Sequence, residues 1–335
     1  MQLMLSASTG PRPCIASWLL RSHRAAAGFP IHSVRFQKMT PQPSVGIVTS
    51  RTNARVKQLR AAFAGSARGS RGNARLSGGL IALEGETMLQ EALSSGLPLK
   101  TVFLSQCAAP PVWLPRGVEL LGLAEDVFNS AVDTQHPQGI AALLVPPTWT
   151  LESVLPAKSA RGKAPLLLLA AGLQDPGNLG TLIRSAEAFG ATAVFTTAGT
   201  VSEWNPKALR ASAGSVFRVP VVEINAGQLV ALKSQGVRMI AAVAPGSDAD
   251  SVFETDLSKP CALMIGNEGA GLGEEWLALA DARITIPMSG RVESLNAAVA
   301  GSLLLFEASR QREATRQRAA STTSHREPRT SNLHP

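Results

Sequence analysis

Residues 166–173, LLLLAAGL, are the stretch that most narrows what this chain can fold into. An unbroken apolar run reads as a strand covered on both faces, as parallel strands are when helices flank them. A strand with one wet face would alternate apolar and polar residues instead. The chain beyond it repeats the theme. A helical pattern near 178–189 is followed by a strand at TAVFTT, a helix at NPKALRASAG, a strand at RVPVVEI and a helix at GQLVALKSQG. Strands at RMIAAVA and CALMIG, a helix at EEWLALA, a strand at RITIPM and a last helix from about Leu295 to Arg312 complete the series. This alternation predicts an open, mostly parallel α/β sheet, in which ligands bind beyond the carboxyl ends of the strands.

Upstream, GIVTSRTNARVKQLRAAFAG (46–65) turns helical, with Val56, Leu59, Ala62 and Phe63 at three- and four-residue spacing and Arg55, Lys57 and Arg60 on other faces. The acid-free loop SARGSRGNARLSGG follows. Strands at LIALEG, KTVFLSQ, VELLGL and PQGIAALLVPP, with helices at ETMLQEALSSG and AEDVFNSAV, then make a small α/β domain. The expected division is a basic arm, targeting segment or extension over 1–45, the small domain over 46–147, and a proline-bounded linker over 148–164. A second domain follows over 165–312, then a polar, disordered tail over 313–335. The first segment fits a mitochondrial transit peptide over 1–38, a disordered arm, or an extension ahead of a start at Met39. The first alternative makes the protein mitochondrial; the others leave it cytoplasmic.

Charge narrows the partners. Residues 1–83 hold twelve Lys and Arg and no acid, residues 310–335 hold six Arg and two Glu, and the stretch between carries a net charge of −8. An acidic body with basic flanks suits a polyanion, since neutralising phosphates releases counterions; solvated tails are the competing reading. Arg51, Asn53, Arg55, Lys57, Arg68, Arg71 and Arg75 are the candidate nucleic-acid contacts. Cys14, Cys107 and Cys261 are far apart and form no CxxC pair, so neither a disulfide framework nor a zinc site is signalled. No metal is expected. No apolar run approaches the roughly 20 residues of a membrane span, and the absence of tyrosine excludes phenolic chemistry.

Three strand-end loops carry the polarity that a core does not need. In GLQDPGNLGTLIRSAEAFG (172–190), Leu179, Leu182, Ile183, Ala186 and Phe189 form one helical stripe and Arg184 projects away from it. Arg184 is thus either a solvated arginine or a site residue, and Asn178 stands where it can cap amides or face a ligand. In LMIGNEGAGLGEEW (263–276), four glycines in eight residues let backbone approach a ligand or simply turn. Their spacing is not G-x-G-x-x-G and no Walker lysine follows. Glu268 inside that loop favours a site. In IPMSGRVESLNAAVAG (286–301), Ser294 or Asn296 either caps the last helix or faces a ligand. The helix begins with Ala297, Ala298, Ala300, Gly301 and Ser302, which leave room for a loop, a ligand or a second subunit.

DPGNLGTLIRSAEAFG, LMIGNEGAGLGEEW and ITIPMSGRVESLNAAVAGSLLLFEASRQR together resemble, in order and spacing, the three motifs of the SpoU/TrmH family of RNA ribose 2′-O-methyltransferases, within the SPOUT superfamily. SRTNARVKQLR, LEGETMLQEAL and HPQGIAALL resemble the amino-terminal substrate-binding domain of many members, which is ribosomal-protein-like in fold. The resemblance implies a carboxyl-terminal trefoil knot, S-adenosylmethionine as cofactor, a homodimer whose active site draws on both subunits, and RNA as partner. Ribosomal RNA is favoured by the amino-terminal domain, with transfer RNA the alternative. By position it implies a catalytic set of Asn178, Arg184, Glu268, Ser294 and Asn296. It also implies cofactor contacts at Gly266, Ile286 and Leu295, with Asn267, Gly269 and Met288 beside them. Arg291 and Glu293 depart from the pattern in a way that bears on cofactor access. Because guanidinium stays protonated, Arg184 is assigned to stabilising the developing alkoxide, with Asn178 and Ser294 orienting groups. A non-catalytic RNA-binding assembly protein on the same fold is favoured by loss of Arg184 or of the glycine loop, and neither is lost. A Rossmann oxidoreductase is disfavoured by the missing fingerprint.

Overall fold

The computed structural model describes residues 46–67, 79–154, 164–246 and 248–324. They contain two sheets. The first has strand order β1-β4-β3-β5-β2, built from β1 (Ile47–Val48), β2 (Ile81–Glu84), β3 (Leu99–Ser105), β4 (Glu119–Leu123) and β5 (Ile140–Leu144). β1, β4 and β3 run parallel; β5 is antiparallel to both β3 and β2. Helices α1 (Ala54–Ala67), α2 (Glu86–Ser94) and α3 (Glu125–Ala131) cover it. The α1 stripe of Val56, Leu59, Ala62 and Phe63 packs with Phe103 and Phe128, as its spacing predicts. The segment is not helical from its start: Ile47 and Val48 pair with β4, and α1 begins only after Asn53, whose Oδ1 accepts from the Arg55 amide at 2.8 Å.

The second sheet has seven strands in the order β10-β12-β9-β11-β6-β7-β8, all pairings parallel. They are β6 (Leu166–Ala170), β7 (Ala193–Thr196), β8 (Val221–Glu223), β9 (Arg238–Ala242), β10 (Asp250–Ser251), β11 (Cys261–Ile265) and β12 (Ala282–Thr285). The apolar run is the interior strand β6, buried throughout. Leu166, Leu168 and Ala170 join one apolar cluster and Leu167 and Leu169 the other, which is why no position alternates with a polar one. The first cluster also takes in Ile81, Leu83 and Val102 of the first sheet and Leu89 of α2. Arg218 adds a polar link between the two halves, meeting Glu91 at 2.7 Å and Glu187 at 2.5 Å. Its guanidinium holds the Glu187 carboxyl below the usual range.

The helices around the second sheet are α4 (Leu151–Val154), α5 (Pro176–Ala188), α6 (Pro206–Ser212), α7 (Ala226–Ser234), α8 (Glu274–Leu277) and α9 (Ala297–Ser324), with a 3₁₀ turn at Ser215–Phe217. Two expectations change here. The stretch read as a polar linker contributes Trp149, Leu151 and Val154 to the core of the second sheet; residues 155–163 lie outside the described residues. The tail expected to be disordered from 313 instead continues α9 to Ser324. Arginine, glutamine and alanine favour helix there, and Glu313 pairs with Arg316 and Gln317 one turn on. Residues 325–335 are not described.

The start of α9 packs closely because its residues are small. A Cβ on Gly301 would lie 2.4 Å from Leu182 Cδ2, and Ser302 shares a 2.7 Å hydrogen bond with Ser185 of α5. The room read from the sequence is thus filled by α5 of the same chain. Further along, Arg312 donates to the carbonyls of Leu257, Ala164, Pro165 and Lys259, and Gln311 bridges the Leu257 amide and the Thr255 carbonyl. Cys261 is buried beside Arg312, with burial pushing its thiol up. Cys107 is exposed, and Cys14 lies outside the described residues.

Candidate active site

The carboxyl ends of β6, β9, β11 and β12 open on one side of the parallel sheet, and the three polar loops meet there. The first is entered through Asp175, whose Oδ1 accepts from the Gly177 amide at 2.5 Å, with Pro176 as first helical residue. Lys207 lies 3.0 Å from the same carboxylate and, with that amide, holds it below the usual range. Asp175, not Asn178, is therefore the cap of α5. Asn178 is left free to turn outward from the first turn of the helix.

The glycine loop folds back on itself. Asn267 and Gly271 exchange backbone hydrogen bonds of 3.0 and 2.9 Å, and a Cβ on Gly266 would sit 2.1 Å from the Gly271 carbonyl carbon. Only glycine permits that approach. Asn267 stabilises the turn: its Oδ1 accepts from Gly269 N at 2.8 Å and from Ala270 N, and its Nδ2 reaches the Gly172 carbonyl at 2.9 Å. The loop is thus tied to the end of β6, and Glu268 is carried outward at its tip.

Beneath lies a cavity of about 270 Å³. Gly266, Asn267, Gly269, Ile286, Met288 and Leu295, the residues expected to meet a cofactor, all line it, as do Glu268 and Ser294. The sequence reading missed Ala242 through Pro245 and Thr285, which also form its wall. The strand-end rule applied to RMIAAVA would have found the former.

A hydrogen-bonded chain crosses the cavity's rim. Asn178 Nδ2 donates to Glu268 Oε1 at 2.5 Å, and Asn296 Nδ2 donates to Asn178 Oδ1 at 3.0 Å. Asn296 also caps α9, its Oδ1 accepting from the amides of Ala298 and Val299 at 2.9 and 3.2 Å. The cap and site readings of Asn296 are therefore compatible, because opposite ends of one amide serve them. Ser294 is exposed beside the cavity and makes no hydrogen bond among the described residues. Arg184 stands apart: it is exposed on α5 and has no partner among the described residues.

The expected RNA contacts are partly engaged elsewhere. Arg51 pairs with Asp126 and Arg55 with Glu119, both at 3.0 Å, and Asn53 starts α1. Lys57 is exposed; Arg68, Arg71 and Arg75 lie outside the described residues. Among the described residues no group of three or more His, Cys, Asp or Glu could hold a metal, and no helix is long and apolar enough to cross a membrane.

A parallel sheet with a strand-end cavity, closed by a self-bridged glycine loop and rimmed by amides and a carboxylate, defines an α/β enzyme scaffold without a dinucleotide fingerprint. The chain belongs to the SpoU rRNA methylase family, which matches residues 165–306, and residues 53–142 match the MRM3-like substrate binding domain. The 23S rRNA (guanosine(2553)-2′-O)-methyltransferase RlmP of Bacillus subtilis is 36% identical over 226 residues, covering 67% of this chain and 86% of the relative. The mitochondrial rRNA methyltransferase 3 of Xenopus tropicalis is 31% identical over 299 residues, covering 72% of each chain. The crystal structure of the SpoU methyltransferase AviRb from Streptomyces viridochromogenes, in complex with AdoMet, superposes with a TM-score of 0.67 at 29% identity. It covers 78% of this chain and 99% of that one.

Proposed function

We propose that this protein methylates a ribose 2′-hydroxyl of ribosomal RNA, using S-adenosylmethionine. The observation that carries the reading is the Asn296–Asn178–Glu268 chain on the rim of a strand-end cavity, in a chain whose relatives are rRNA 2′-O-methyltransferases. The cavity suits the cofactor: Val243, Ile286 and Leu295 offer apolar walls for a flat ring, and Gly266, Gly269 and Gly271 bring backbone groups to its edge. The cofactor supplies a methyl group on a positively charged sulfur. The chain's own residues position the acceptor: the amides of Asn178 and Asn296, held in register by Glu268, orient the ribose with Ser294 beside them. Arg184 stabilises negative charge on the attacking oxygen. The knot that family membership implies would be formed where the second and third loops enclose the cavity.

The protein acts as a homodimer in this proposal. Val299, Leu303 and Phe306 recur along one face of α9 at 47%, 44% and 51% exposure, and Phe306 meets Phe189 of α5 edge-on at 5.7 Å. In this proposal a second copy covers this stripe, and Arg184 serves the partner's cavity. Residues 46–147 act as the RNA-binding domain and 165–312 as the methyltransferase domain. The compartment follows from residues 1–38: mitochondrial if they are a transit peptide and cytoplasmic otherwise, which a reporter fused to them reads directly. The central test is methyl transfer from labelled S-adenosylmethionine to rRNA, with the modified ribose mapped by resistance to alkaline cleavage. RNA binding without methyl incorporation would mark a non-catalytic assembly protein.

A further inference from the structure

Lys207 is the second residue of α6, its amide held by Asn205 Oδ1 at 2.9 Å. Its ammonium group reaches back to α5 and donates to the two carboxylate oxygens of Asp175 at 3.0 and 3.1 Å. Stability gives little reason for a lysine here. The pair is 58% and 45% exposed, where ion pairs contribute little, and a cation in the first turn of a helix opposes its dipole. Asp175 would cap α5 without it, since Oδ1 already accepts from the Gly177 amide. The lysine closes the turn from outside. A Cβ on Gly177 would lie 2.9 Å from Asp175 Oδ1 and 3.1 Å from Lys207 Cε, so the carboxylate and the lysine stem both press on residue 177. α6 is held to this contact by its backbone, because a Cβ on Gly180 of α5 would come 2.3 Å from the Ala208 carbonyl oxygen.

The next residue is Asn178, which donates to Glu268 and accepts from Asn296 to make the rim chain. Its side chain springs from a turn that the Asp175–Lys207 pair holds in place. We propose that Lys207, acting through Asp175, is a positioning residue for methyl transfer: it fixes the turn that aims Asn178 at the ribose. The inference rests on the role given to Asn178 above. It assigns Lys207 no contact with RNA or cofactor.

The test uses the full chain and the rRNA that accepts methyl from labelled S-adenosylmethionine. Lys207→Met keeps the stem and loses the charge; Asp175→Asn keeps a capping oxygen for Gly177 and loses the charge that holds the lysine. Each is expected to lower kcat about ten- to a hundredfold, the range for a small misplacement at the reacting centre. Affinity for S-adenosylhomocysteine and the KM for S-adenosylmethionine should stay within about twofold, since cofactor binding is not disturbed. The double variant should be no slower than either single one, because both remove the same pair. Lys207→Arg, which restores the charge, should recover most of the loss. Melting temperatures should stay within about 2 °C of wild type, as befits an exposed pair. Normal kcat in Lys207→Met overturns the proposal. A loss of kcat matched by weaker S-adenosylhomocysteine binding or a lower melting temperature also overturns it, marking a merely structural role. So does a slope of log RNA affinity against log salt flattened by about 0.7–0.9 in Lys207→Met, which marks a direct phosphate contact. Asn178→Ala separates the two readings. If it turns over normally, the role of Asn178 fails and this inference with it; if it is slow while Lys207→Met is not, only this inference fails.

Discussion

Asn296 donates its side-chain amide to Asn178 across 3.0 Å although 118 residues separate them, and the oxygen of the same amide caps α9. The two roles can be separated. Asn296→Ala removes both, so it should lose methyl transfer and also about 1 kcal/mol of cap energy, lowering the melting temperature by about 2–4 °C. Asn296→Asp keeps an oxygen for the Ala298 and Val299 amides but cannot donate to Asn178. It should melt like wild type and lose at least about tenfold in kcat, roughly the effect of one charge-free hydrogen bond in positioning. Full activity in the aspartate variant would reduce Asn296 to a cap.

Arg184 has no partner among the described residues of its own chain, and its role is testable by mixing. Arg184→Ala should lower kcat by roughly two to three orders of magnitude, the range for losing one oxyanion-stabilising group, with cofactor affinity nearly unchanged. If Arg184 serves the opposite subunit, Arg184→Ala and Asn178→Ala chains refolded together form hybrid dimers with one intact site. Random pairing then restores about a quarter of wild-type activity. Activity that stays at the level of either parent would place Arg184 in its own chain's site.

How far the sequence could be read depended on the kind of signal. β6 was legible because burial on both faces leaves a mark that no surface strand shares. β10 was not: Asp250 and Ser251 are two polar residues at an edge, held only by pairing with β12. The cap of α5 was within reach, since a proline in the first turn places the cap just before it, at Asp175. Glycine 301 was read correctly as room but not as whose: only packing reveals that Leu182 fills it. The far end of α9 has no apolar periodicity to find, and local pairs such as Glu313 with Arg316 carry it instead. The rim chain of Asn178, Glu268 and Asn296 could be assembled from motifs, but the hydrogen bonds that order it depend on loops brought together by the parallel sheet.

The structure also changes how RNA binding should be probed. Removing residues 46–79 would take Val56, Leu59, Ala62 and Phe63 out of the first sheet's core and unfold it, so point changes are needed. Arg51 and Arg55 already face Asp126 and Glu119, whereas Lys57 is exposed and unpaired by any acid among the described residues. Changing Lys57, Arg68, Arg71 and Arg75 to Gln should flatten the slope of log affinity against log salt by about 3, at roughly 0.7 to 0.9 per lost phosphate contact. Changing Arg51 and Arg55 should flatten it less. An unaltered slope in the fourfold variant would remove this helix and loop from the RNA surface.

Glu203, just before α6, should make stability depend on pH in the sense opposite to most carboxylates. Burial pushes its carboxyl above the usual range, and the like charge of Glu223 adds to this. The folded chain therefore holds this proton more tightly than the unfolded one. That favours folding below the unfolded carboxyl pKa, and the advantage is lost as pH rises through the folded value. At pH 8, above the unfolded carboxyl pKa, folding must either bury the charge or take up a proton, and both are unfavourable. Glu203→Gln, similar in shape and always neutral, should thus raise the melting temperature at pH 8, by about 2–4 °C for each kcal/mol of relief, with the gain shrinking toward pH 4. Thermal unfolding of both proteins across that range checks the sign. A gain of equal size at pH 4 and pH 8 would trace the effect to packing and not to charge.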